Sequence, residues 1–210
     1  MTSLYTLALF LHVSGAIGAF VSIGIWLFGL SALRRARYVE QVRAIAWLII
    51  VASPLMVFSV LLIAIAGFDM ALSTWGLRTP WIAVAIVSFV LIAPVGPFLL
   101  YYRMQAILAE VRELPGGPIP DTLYVRTQSP VLGTAAQTLT TILLGIVFLM
   151  TNKPALITSI VVMGVALACG LLSGVPYWYA ARRRSRRASA SVTMKGEDPF
   201  LKKTLWTRRW

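Results

Sequence analysis

Residues 47–67 read WLIIVASPLMVFSVLLIAIAG, a run without a single charged side chain. An α-helix needs ~20 predominantly apolar residues to cross the ~30 Å hydrocarbon core of a bilayer. The run does not alternate apolar and polar residues, as a strand of a membrane barrel does. Nor can lipid satisfy the backbone of an open strand. The stretch therefore predicts a membrane-spanning helix and, with it, an all-α protein.

Working outward, four comparable runs join it, and the expected spans are about 4–30, 44–67, 79–100, 131–151 and 154–180. Composition agrees. Hydrophobic residues make up 59% of the 210 and charged ones 12%, where a soluble domain carries ~25% charged residues. The prediction is a polytopic membrane helical bundle over residues 1–181, followed by a basic tail, 182–210. MTSLYTLALF has no Arg or Lys ahead of its apolar run, which outruns a signal-peptide core and predicts a retained first helix. Pro94 and Pro97, in LIAPVGPFLL, lack the amide hydrogens a helix interior uses, and predict a kink or unwinding late in the third span.

The net charge of +12 would suggest nucleic acid in a soluble protein. Its placement argues against that partner. Arg34, Arg35, Arg37, Arg43, Arg103, Arg112, Arg126 and the ten basic residues of the tail fall on one side of the expected spans, against Arg78 and Lys153 on the other. The positive-inside rule then puts the N-terminus outside and the C-terminus in the cytoplasm, in a multi-pass protein of a bacterial-type inner membrane. Residues 101–130 predict a helical continuation to about Leu114 and then a Pro/Gly break. Much of the tail is expected to be mobile. Its end, with Leu201, Leu205, Trp206 and Trp210 among Lys and Arg, suits anionic lipid head groups.

Small residues mark the faces that helices use to pack. Ser14, Gly18 and Ser22 recur every fourth residue, Gly15 widens that face, and Gly170 and Gly174 do the same in the last span. Packing within the bundle and self-association both use such faces. A polar stripe, Thr134, Gln137, Thr138 and Thr141, recurs at helical spacing in the fourth span. It serves either hydrogen bonding between helices or a path for a small solute.

His12 is the only histidine. Eight residues into the first span, it lies ~12 Å deep at 1.5 Å per residue. A neutral imidazole bonded to a serine, a threonine or a backbone carbonyl of another helix is one reading; a haem or copper ligand or a proton carrier is the other. Met163, at ~13 Å by the same rise, matches that depth and is the candidate second ligand for haem or copper. The one cysteine, Cys169, forms no disulfide within the chain and no cysteine-based zinc site.

Three stretches, LHVSGAIGAF at 11–20, GFDMALSTWGLRTPWI at 67–82 and FLMTNKP at 148–154, resemble the integral membrane proteins of domain of unknown function 2269. That group is distantly similar to copper-resistance D-type membrane domains. The resemblance runs over most of residues 4–180 and implies a compact bundle of four to five helices. It also implies an LH pair, here Leu11 and His12, and an LMxxKP turn, here Leu149, Met150, Lys153 and Pro154. Relatives with haem or copper carry several histidines, and this chain has one. The expected function is a non-catalytic structural or accessory subunit of a membrane complex, or a homo-oligomer, in contact with lipid and other membrane subunits. The alternatives are a haem- or copper-associated redox or metal-handling protein using His12, and a small-solute transporter.

Overall fold

A computed structural model describes residues 2–196, and all statements about structure concern these. Every regular element among them is helical. In chain order, α1 is Thr2–Arg35, α2 is Val39–Met70, α3 is Pro80–Ile92, α4 is Tyr102–Glu113, α5 is Asp121–Thr127, α6 is Pro130–Asn152 and α7 is Leu156–Gly196. Two π-helical segments, Ala71–Trp75 and Val95–Tyr101, follow α2 and precede α4. The main partnerships are α1 with α2 and α6 with α7, and contacts of α1 with α6 join the two pairs. At one end lie Trp75, Trp81 and Lys153; at the other lie Arg34, Arg43 and the α4–α5 connection. These are called the tryptophan end and the arginine end.

Four stretches are long and apolar enough to cross a membrane: Leu4–Arg35, Val39–Trp75, Asp121–Asn152 and Leu156–Ala180. The third expected span, 79–100, is not one α-helix. Its α-helical part, α3, has 13 residues, a rise of ~20 Å, and is followed by a turn at Ala93–Pro94 and the second π-helical segment. Neither Pro94 nor Pro97 offers an N–H, so the i→i−4 ladder stops there and the chain continues with a wider turn.

The densest core lies at the arginine end. There α4 buries Met104, Ile107, Leu108 and Val111, a spacing of three, four and seven that gives one apolar face. That face closes over Leu33, Val42 and Ile49, while α5 contributes Leu123. The connection after α4 is tied to the α1–α2 corner. Val39 donates its N–H to the Gly117 carbonyl at 2.9 Å, Ile119 to the Arg37 carbonyl at 3.1 Å, and Gly117 to Glu40 Oε1 at 3.1 Å. Arg43 Nη2 donates to the carbonyls of Val111 and Leu114, each at 3.0 Å, which caps the C-terminus of α4 with a cation where the helix dipole is negative. Arg126 and Glu110 form an ion pair at 3.0 Å between α5 and α4.

Beyond the expected end of the last span at 180, α7 continues to Gly196. Alanine and arginine are strong helix formers, and extending an existing helix avoids the cost of nucleation. Leu201, Leu205, Trp206 and Trp210 lie outside the described residues.

Candidate functional site

Small residues let α1 and α2 approach closely. A Cβ added to Gly15 would come within 2.9 Å of the Ser59 carbonyl oxygen, and one added to Gly18 would collide with Ser59 Oγ. Ser22 donates to the Gly18 carbonyl at 2.8 Å and is itself buried. Ser14 is half-buried on the same helix. The face spanning Gly15, Gly18 and Ser22 is thus occupied within the bundle.

His12 sits at the outer part of this seam. Its Nδ1 lies 3.1 Å from the Ile63 carbonyl oxygen of α2. That oxygen can only accept, so Nδ1 carries a proton, and in the neutral ring Nε2 presents a lone pair. Gly67, one turn beyond Ile63, makes the approach possible: a Cβ there would stand 2.9 Å from both Nδ1 and Cε1 of the ring.

The threonines of the polar stripe, Thr134, Thr138 and Thr141, face α7. A Cβ on Gly170 would meet Thr138 Cα at 2.6 Å and Thr141 Oγ1 at 2.5 Å; one on Gly174 would run into Thr134. Thr134 Oγ1 donates to the Pro130 carbonyl at 2.9 Å and Thr141 Oγ1 to that of Thr138 at 3.1 Å, while the buried Thr138 hydroxyl has no hydrogen-bond partner. Thr134 and Thr138 border a cavity of about 260 Å³ beside α3. Gln137 is half-buried. Met163 belongs to this seam too, its sulfur against Gly145 of α6. His12 and Met163 therefore engage separate helix pairs, and α1 and α7 make no extended contact. Among the described residues no group of three His, Cys, Asp or Glu side chains is placed to hold a metal ion.

At the tryptophan end, Trp75 and Trp81 meet edge to face with ring centroids 5.6 Å apart. The Lys153 ammonium stands 4.1 Å above the Trp75 ring. Lys153 adopts the left-handed region, φ 50 and ψ 52, with its N–H donated to the Leu149 carbonyl at 2.9 Å. Such a conformation costs a non-glycine residue ~1 kcal/mol, which the cation–π contact offsets. Met150 packs against the buried cluster of Ala71, Trp81 and Ile82.

At the arginine end, sequence reasoning counted Arg34 only as a charge. The structure makes it a joint. Its Nη2 donates to the Ser129 carbonyl at 3.1 Å, its own carbonyl accepts from Gln128 Nε2 at 2.7 Å, and its guanidinium lies 3.8 Å over the Tyr177 ring. Gly133 leaves the space the guanidinium fills. One side chain thereby ties α1 to the start of α6 and to α7. The available signal was a planar cation at a helix end with a glycine and a tyrosine at matching depth in two other helices.

Taken together, these apolar helices, their glycine-lined seams and their polar ends define a polytopic integral membrane protein built as a helical bundle. The chain belongs to the family described as predicted integral membrane protein, domain of unknown function 2269, whose model matches residues 6–154. The match ends at Pro154, so it takes in the bundle up to the LMxxKP turn and leaves α7 beyond it. All three stretches that carried the resemblance lie inside it, and the fold joins them: His12 rests on Gly67, and Trp75 receives Lys153. No curated protein matches the chain. No solved structure matches it either.

Proposed function

We propose that this protein is a non-catalytic structural or accessory component of a membrane assembly, with α7 as its partner-facing helix. The observation that carries the reading is the burial of α7, whose apolar membrane window is only 11% buried. Ile157, Ile160, Val161, Val165, Leu171 and Leu172 are all exposed. In the same stretch Gly164 has open space around it and Ala168 follows one turn on, the spacing at which another helix backbone approaches closely. With the N-terminus outside, the arginine end lies in the cytoplasm, and the basic tail extends α7 toward anionic lipid. A benzophenone amino acid at Val165, activated in native membranes, is expected to capture a second integral membrane chain, either another copy or a distinct subunit identified by mass spectrometry. A His12→Ala background is expected to give the same yield. Lipid adducts alone, with a single-chain mass in mild detergent, would overturn the reading.

A second reading, haem or copper binding at His12, is favoured by one feature. Metal-ligating histidines characteristically donate their other ring N–H to a carbonyl or carboxylate, as His12 Nδ1 does to Ile63. Met163 lies in the other helix pair, against Gly145, so the second ligand would come from a second copy's His12. Absorption spectra and metal analysis of the purified protein decide it. This reading expects a Soret band or stoichiometric copper that His12→Ala abolishes, and a colourless, metal-free wild type removes it.

A further inference from the structure

The second π-helical segment leaves a crevice of about 580 Å³ between itself, α1 and α2. Its floor is buried: Trp26 is 6% exposed and Leu100 3%. Its rim faces outward, through Phe58 and Leu61 of α2 and Tyr102 at the start of α4, all more than half exposed. Gly96 forms part of the wall, and a Cβ added there would meet nothing within 4 Å. The volume falls within the ~300–1,000 Å³ of ordinary ligand sites.

An apolar void of this size does not stay hydrated, and an empty one deprives its lining atoms of dispersion contacts. Phe58 and Leu61 belong to a membrane-spanning stretch, so what enters the crevice comes from the bilayer. Tyr102, on the rim, is followed by the exposed Arg103, which puts a cation one residue along the chain from the lining. Tyrosine is itself a usual interfacial residue. We propose that the crevice holds an acyl chain of an anionic phospholipid from the leaflet at the arginine end, the chain lying against Trp26 and the phosphate beside Arg103. The site is independent of whether α7 meets a partner or His12 a metal.

Trp26 reports occupancy directly. The protein is reconstituted in phosphatidylcholine vesicles carrying a minor share of either dibromostearoyl phosphatidylglycerol or dibromostearoyl phosphatidylcholine. The Trp26 emission is taken as the difference from Trp26→Phe. Bromine on the chain quenches an indole it touches, so loss of most of this emission is expected with the brominated phosphatidylglycerol and a smaller loss with the phosphatidylcholine. Gly96→Leu places a side chain in the open space, and is expected to restore the emission while helicity and monodispersity stay as in the wild type. Arg103→Gln is expected to equalise the two lipids. Wild-type Trp26 emission unaffected by either brominated lipid would overturn the proposal, as would equal quenching by both, and both results come from the unmodified crevice whether or not Gly96→Leu folds.

Discussion

Gly170→Ala is expected to lower the stability of the bundle by ~2 kcal/mol, the scale on which overpacking of a close interior contact acts. The new methyl would stand 2.6 Å from Thr138 Cα and 2.5 Å from Thr141 Oγ1. A flexible side chain can rotate away, but Thr138 Cα is backbone, so α6 and α7 have to separate over several residues. Separation also pulls Gly174 away from Thr134 and Gly145 away from Met163. Gly164→Ala lies on the same helix with nothing within 4 Å of its new methyl. Alanine is the better helix former by up to ~1 kcal/mol, so this variant is expected to be neutral or slightly stabilised. Unfolding in mixed micelles titrated with dodecyl sulfate gives both values on one scale. If the two variants shift alike, the α6–α7 seam is not the close contact described.

Much of this architecture was legible because apolar runs of spanning length have one outcome in lipid. α1, α2, α6 and the membrane part of α7 follow from that alone, and Pro94 with Pro97 marked where the α-helix of 79–100 would break. What the unwinding makes was not legible: the crevice depends on how far the π-helical segment stands from α2, a distance that no local pattern encodes. His12 shows a similar boundary. Its depth called for a hydrogen-bond partner, but the partner is a carbonyl made reachable by the missing Cβ of Gly67, fifty-five positions along the chain. The spacing of Gly15, Gly18 and Ser22 announced a packing face without naming the helix that takes it. Past Arg182, the run of Ala and Arg continues a helix already formed, and α7 reaches Gly196.

Arg34→Ala is expected to destabilise the protein by ~3 kcal/mol, and Arg34→Lys by more than half as much. A hydrogen bond from a charged group contributes ~1.5–3 kcal/mol and a partly buried cation–π contact ~1 kcal/mol. Arg34 makes both, with Ser129 and Tyr177, and the guanidinium also fills the space above Gly133. Lysine keeps the positive charge, but an ammonium is compact, strongly hydrated and lacks the plane that stacks on tyrosine. The two substitutions therefore separate the positive charge from the geometry that joins three helices. Tyr177→Leu alone should cost ~1 kcal/mol, and a cycle with Arg34→Ala should show coupling of similar size, since the two side chains touch. Dodecyl sulfate titration measures all four forms. A lysine variant as stable as the wild type would mean that Arg34 acts only as a charge, and that α1 and α6 are held at this end by the apolar packing of Leu33 and Leu132 without it.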